Sequence, residues 1–126
     1  MQQTGKVFFV FNVHFDHQGV EARKQSARLL LLQMKTIAAD AVTICMGDLN
    51  STPETEQIST LRGVLQDAYE ATEMAPYGPV GTFNGFRWNT IPKDRIDYIF
   101  VSRPVRVLNY AALSDAASTS TRWTRR

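Results

Sequence analysis

The run Val7–Val13 (VFFVFNV) constrains this chain more than any other stretch. It is β-branched and aromatic without polar alternation. That pattern predicts a strand buried on both faces, since a one-sided strand alternates with period two. A strand of that kind needs material above and below it. Val20–Ala39 follows with helical periodicity. Val20, Ala27, Leu30, Leu31, Met34, Ile37 and Ala38 form the apolar stripe, and Glu21, Arg23, Lys24, Arg28 and Lys35 solvate the remainder. Ala41–Met46 reads as a second buried strand. The order strand–helix–strand predicts an α/β layer.

The rest of the chain is less regular. Ser51-Thr52-Pro53-Glu54 is a helix start, with a hydroxyl N-cap, proline at the first helical position and acids in the first turn. That helix is expected to reach Leu61 or Arg62, with Gly63 as its stop. Val64–Tyr69 is ambiguous. Met74–Gly81 and Arg87–Lys93 read as loops, and Thr82–Phe86 as a short strand between them. Ile96–Val101 is a strong strand, and Arg106–Leu113 a weaker one. From Ala116 to Arg126 (AASTSTRWTRR) the chain turns Ser/Thr/Arg-rich and loses periodicity, so residues 1–115 are expected to form the domain and 116–126 a loosely attached tail.

Composition narrows the chemistry. The chain has 126 residues, 44% of them hydrophobic, which suits one globular domain. A net charge of +2 does not name a nucleic-acid partner. Cys45 is the one cysteine, which excludes an intrachain disulfide and a cysteine-rich zinc site. The histidines, His14 and His17, are too few for a histidine-rich metal cluster. No apolar run approaches the roughly 18 residues of a membrane span, and no signal peptide is visible at the start, so localisation is left open.

Polar residues at strand ends are the candidates for function. Asp48 and Asn50 lie where a buried strand turns toward a helix, a place that holds side chains rigidly beside a crevice. A carboxylate there can orient and deprotonate water, and a neighbouring amide can donate to a phosphoryl oxygen. The competing reading is an Asx turn. Asn12, His14, Asp16 and His17 form N-x-H-x-D-H at the end of the first strand, with Asn12 and His14 on one face. A histidine so placed can protonate a leaving oxygen; the alternative is a hydrogen-bonded strand-end histidine. Asp97 interrupts the apolar strand RIDYIFV. A buried carboxylate requires a partner: either a histidine that it orients or Arg95 in a structural ion pair. Thr82, Asn84 and Trp88 line a substrate groove or simply pack.

The collinear series N-x-H-x-D-H, long amphipathic helix, G-D-L-N-S-T-P, G-T-F-N and R-I-D-Y-I-F-V-S resembles the C-terminal half of the endonuclease/exonuclease/phosphatase superfamily, the phosphoesterases related to deoxyribonuclease I. It looks closest to the bacterial hydrolase branch, through Gly19–Ala27, Tyr77–Phe86 and Pro92–Ser102. The resemblance implies half of a four-layer α/β/β/α sandwich: one mixed sheet with helices on one face. It implies phosphate-ester hydrolysis with Mg²⁺ or Mn²⁺, a hard ion that prefers oxygen ligands. By resemblance Asp48 positions the attacking water, Asn50 binds phosphate, His14 stabilises the transition state and Asp97 orients a second histidine. Asn12, Asn50 and Asn84 are the substrate contacts, and Asp48 and Asn50 a partial metal site.

Two parts of the family pattern are missing from this sequence: the early glutamate that is the principal metal ligand, and the final Ser-Asp-His. The expectation is therefore a truncated phosphoesterase with impaired activity alone, acting on an unresolved phosphoester. The alternative is a non-catalytic piece that associates, through an exposed sheet face, with a complementary half or with itself. A nucleic-acid binder using Arg87, Lys93, Arg95 and the terminal arginines is a weaker third reading. The loops Met74–Gly81 and Phe86–Asp94 are expected to set substrate selectivity.

Overall fold

The computed structural model describes residues 5–113. Its order is β1 (Phe8–His14), α1 (Val20–Ala38), β2 (Val42–Asp48), α2 (Glu56–Arg62), β3 (Gln66–Asp67), α3 (Ala68–Ala71) and β4 (Asp97–Val101). The strands form one mixed sheet in the order β1-β2-β4-β3. β1 and β2 run parallel, with α1 as the crossover, and β4 runs antiparallel to both β2 and β3.

The core lies on one face of this sheet. Ala27, Leu30 and Met34 of α1 and Ile58 and Leu61 of α2 pack over Cys45, Tyr98 and Phe100, with Phe15 and Leu49 closing the strand ends. Lys24 and Arg28 of α1 both pair with Glu56 of α2. These exposed pairs add little energy, so apolar burial holds the two helices. On this same side of the sheet, Asp67 lies opposite Phe100, and the buried Arg95 guanidinium makes two bonds to the equally buried Asp67, 2.9 and 2.8 Å. It also lies 4.6 Å from the centres of both the Tyr69 and the Tyr98 rings. Burial works against the charge of Arg95, but hydrogen bonding to Asp67 and its negative charge outweigh it, and the arginine pKa is raised.

Several expectations change. β1 is not buried on both faces: it alternates, with Phe8, Val10, Asn12 and His14 exposed and Phe9, Phe11 and Val13 half-buried. Among the described residues α1 and α2 cover only the other face. The stripe of α1 is narrower than expected, because Val20 and Ile37 point into solvent. The second helix starts late, at Glu56 with Thr55 as its N-cap. Ser51 does not cap it; its hydroxyl donates to the Leu49 carbonyl and accepts from Gln57. Gly63 is the C-cap, as expected.

The segments expected as strands at 82–86 and 106–113 contribute only single bridges, Phe83 to Asp94 and Tyr77 to Ala111. Their backbone bonds go to loop partners, as in Glu73 N–H to Val107 O and Met74 N–H to Leu108 O. Arg95 cannot serve a nucleic-acid surface, being buried and engaged by Asp67. Asp115 and the expected tail at 116–126 lie outside the described residues.

Candidate active site

The sheet register brings three of the singled-out residues into one row. His14 on β1 lies opposite Asp48 on β2, and Asp48 lies opposite Asp97 on β4. Residues opposite one another on neighbouring strands share a face, so the three side chains line one end of the open face. Asn12 is two residues back on the same face of β1. The row extends just past the strands, where Phe15 N–H donates to the Asp48 carbonyl and Leu49 N–H to that of Ile96.

Asp48 is fixed by its neighbours. One carboxylate oxygen, Oδ1, accepts the Asn50 backbone N–H at 2.8 Å, and the other, Oδ2, is 3.6 Å from His14 Nε2. That second distance is too long for a hydrogen bond; it becomes an ion pair only when the imidazole is protonated. The Asx turn is therefore present, and it leaves Oδ2 free. The His14 side chain is 72% exposed and that of Asp48 31%, so both can reach a ligand from solvent.

Gly47 makes this geometry attainable. Its φ is +139°, and a Cβ there would fall 1.9 Å from the Val13 carbonyl oxygen. Only glycine fits where the two parallel strands approach this closely. Asn50 sits in the left-handed region at φ 45°, and one of its amide hydrogens bonds to the Phe15 carbonyl at 2.9 Å. The turn after β2 is thereby tied to the end of β1. Among the described residues nothing engages its second amide hydrogen or its Oδ1.

Asp97 opens β4 rather than lying within it, and is half-buried. Its backbone N–H and that of Ile96 both donate to the Thr82 hydroxyl at 3.1 Å, which fastens the loop after residue 81 to the row. Arg95 does not pair with it, having turned to Asp67 on the opposite side. Asn84 lies on that loop and donates to the Arg87 carbonyl at 2.7 Å. Asp16 and His17 do not join the row: Asp16 accepts the N–H groups of Gln18 and Gly19 in the turn before α1. These bonds hold its carboxyl below the ordinary range.

Tyr98 was not anticipated in any role at this site. Its hydroxyl donates to the Ser51 carbonyl at 2.7 Å and lies 3.0 Å from the Arg95 carbonyl, so it clamps the turn after β2 to the start of β4. Burial raises its pKa well above the ordinary phenol value, which keeps the hydroxyl a donor. The alternation of RIDYIFV places it on the core side, but its partner carbonyls are not visible in sequence.

Among the described residues no group of three or more His, Cys, Asp or Glu side chains is gathered so as to hold a metal. Asp48 and Asn50 offer oxygen atoms toward such an ion but do not form a centre by themselves.

Comparison with known proteins identifies the family. The Endonuclease/Exonuclease/phosphatase family model matches residues 2–120. Among solved structures, the mannosyl-6-phosphatase of Bacteroides thetaiotaomicron is 37% identical with a TM-score of 0.79, covering 89% of this chain and 43% of that one. An endonuclease/exonuclease/phosphatase protein of Bacteroides vulgatus is 33% identical with a TM-score of 0.72, covering 84% and 42%. A protein of unknown function from Enterococcus faecalis is 31% identical with a TM-score of 0.76, covering 85% and 42%. This chain thus spans less than half the length of each of these three structures. Comparison with curated protein sequences gives no match. With a family model matching nearly its whole length and relatives above 30% identity that share its fold, the chain belongs to the endonuclease/exonuclease/phosphatase family.

Proposed function

We propose that this chain carries part of a metal-dependent phosphoesterase site that hydrolyses phosphate mono- or diesters. The observation that supports this most is the row His14–Asp48–Asp97 on adjacent strand ends. In this reading Asp48 Oδ2 orients the attacking water and takes its proton. His14 faces the phosphoryl group from the next strand and supplies positive charge or a proton to it. Asn50 donates its second amide hydrogen to a phosphoryl oxygen, and Asn12 and Asn84 contact substrate. Asp97 completes the carboxylate edge.

Mg²⁺ or Mn²⁺ is the cofactor that the family resemblance implies, and when bound it would neutralise charge on the phosphoryl oxygens. The described residues do not gather a three-ligand centre, so weak turnover by this chain alone is part of the proposal. Phosphate monoesters of sugars are the first substrates to try, given the mannosyl-6-phosphatase among the relatives.

The test is hydrolysis of p-nitrophenyl phosphate and bis-p-nitrophenyl phosphate by the purified chain, with Mg²⁺ or Mn²⁺, beside titration with inorganic phosphate followed by amide NMR. Slow turnover is expected, falling about a hundredfold in Asp48→Asn, and phosphate should move the Asp48–Asn50 amides. Turnover indifferent to both Asp48→Asn and His14→Ala overturns the reading, as does absence of turnover together with absence of phosphate binding.

A second reading has an observation of its own. Phe8 at 59% exposure, Val10 at 49%, Val42 at 38% and Ile99 at 40% share the open face of the sheet. That favours a chain that associates through this face with a complementary half or with itself.

A further inference from the structure

The loop between Pro79 and Pro92 leaves a cavity of about 350 Å³ against β4, bounded in part by Thr82, Asn84, Trp88, Thr90, Asp97 and Tyr110. It is open, and its size falls within the roughly 300–1,000 Å³ of small-ligand sites. Asp97 belongs both to this cavity and to the row with Asp48 and His14. A ligand with its phosphoryl group at Asp48 would therefore hold its remaining atoms here.

The lining has a definite hydrogen-bonding character. The Thr82 oxygen already accepts two backbone N–H groups, so its hydroxyl proton is left to donate. Asn84 donates to the Arg87 carbonyl, which leaves its Oδ1 as an acceptor. Thr90 donates to that same carbonyl at 2.9 Å, and its oxygen still accepts. Among the described residues no hydrogen bond or ion pair engages the Asp97 carboxylate. Beside these groups stands Trp88, an exposed residue with 89% of its surface open to solvent. Packing does not account for it, because it is not in the core. An exposed indole at the rim of a polar cavity offers one large apolar face.

We propose that this cavity is a subsite for a neutral, hydroxyl-rich ring, that is, a sugar, with Trp88 as its stacking wall. The lining offers both donors and acceptors, and the Asp97 carboxylate among them is an anion. That suits a ligand that presents several O–H donors around its edge and a C–H face to the indole. It does not suit a second anionic group. The proposal rests on the phosphoesterase reading only for where the phosphate lies; the ring site stands on its own lining.

The test uses the full chain labelled with ¹⁵N. The indole N–H signal of Trp88 is identified by its loss in Trp88→Phe, which separates it from Trp123. Mannose 6-phosphate, free mannose, inorganic phosphate and adenosine monophosphate are titrated in turn. Mannose 6-phosphate should move the Trp88 indole together with the Thr82 and Asp97 amides, and bind about tenfold more weakly to Trp88→Ala. Inorganic phosphate should leave the indole still.

A sugar phosphate that moves the Asp48–Asn50 amides but not Trp88 overturns the subsite and spares the phosphoesterase reading. Free mannose that moves Trp88, when none of the three phosphate compounds moves Asp48–Asn50 and no turnover is seen, supports the subsite and overturns that reading. Tighter binding of adenosine monophosphate than of mannose 6-phosphate, or unchanged affinity in Trp88→Ala, overturns the sugar assignment. No response to any of the four overturns both.

Discussion

At the scale of single residues, the most consequential pair is Arg95 and Asp67. The side chain of Arg95 is 3% exposed and that of Asp67 1%, and two hydrogen bonds join them. Both charges are out of water, so removing one strands the other. Asp67→Asn should destabilise the fold by about 3–5 kcal/mol, read as a lower urea midpoint. Asp67 also accepts the Tyr69 N–H and a bond from Arg62, so part of the loss is local to α3. Replacing both members with apolar residues, Arg95→Met with Asp67→Leu, should recover much of it. A single Asp67→Asn variant as stable as the parent would contradict the buried-pair account.

Cys45 behaves differently. Burial raises its thiol pKa to about 11, so the thiol stays protonated at neutral pH and its thiolate is scarce. In the folded chain Cys45 should resist a thiol reagent that labels it at once in urea. Rapid labelling of the folded chain would show that β2 opens far more readily than its burial implies.

At the scale of elements, segments with their own apolar pattern were legible, while the short β3 and the loop-like pairing of 82–86 and 106–113 were not. The α1 periodicity, the β2 run and the RIDYIFV strand placed three elements almost to the residue, because each carries its own apolar pattern. The order of the strands did not appear in the sequence. Nothing in Ile96–Val101 says that it inserts beside β2, and that insertion is what aligns Asp97 with Asp48. Candidate residues could be named from their motifs, but their common row depended on register. The pairing of Arg95 with Asp67 was hidden for a similar reason, since Asp67 fell in a stretch with no clear period. Segment 106–113 has strand-like residues, yet it meets loop carbonyls instead of a ladder.

Two predictions belong to this scale. Gly47→Ala should displace the end of β2 from β1, because a Cβ would meet the Val13 carbonyl oxygen at 1.9 Å. The expected outcome is a large fall in thermal midpoint and shifted amides for His14–Asn50, whereas Gly85→Ala, whose Cβ meets nothing within 4 Å, should leave the His14–Asn50 amides in place. The turn that leads into α1 should also respond to pH. The Gly19 and Gln18 N–H groups hold Asp16 below its ordinary pKa of 3.8. A carboxyl lowered in the folded state stabilises the fold above its unfolded pKa, and that stabilisation is lost as pH falls through the folded value. Asp16→Asn should therefore lower the unfolding midpoint at about pH 6 and make no difference at about pH 2. An equal effect at both values would mean that geometry, not charge, is what Asp16 contributes.

At the scale of the whole molecule, the two faces of the sheet are unequal. One carries the packed core, with Cys45 and Phe100 almost fully buried. The other sets Phe8, Val10, Val42 and Ile99 toward solvent beside the polar row of His14, Asp48 and Asp97. Fully burying one such side chain stabilises by roughly 1.5–3 kcal/mol, so four that lie near one another drive association unless something covers them. Sedimentation velocity should show the purified chain associating as its concentration rises, and a dye that reports exposed apolar surface should bind it. Val10→Lys puts a charge in the middle of the patch and should return the chain to monomer. Leu29→Lys changes an equally exposed residue on α1, away from the sheet face, and should leave association intact. Neither substitution should lower the unfolding midpoint, because neither side chain is in the core. A chain that stays monomeric at high concentration and binds no dye would remove the association reading. Equal loss of association in both variants would move the contact off the sheet and leave the row free for substrate.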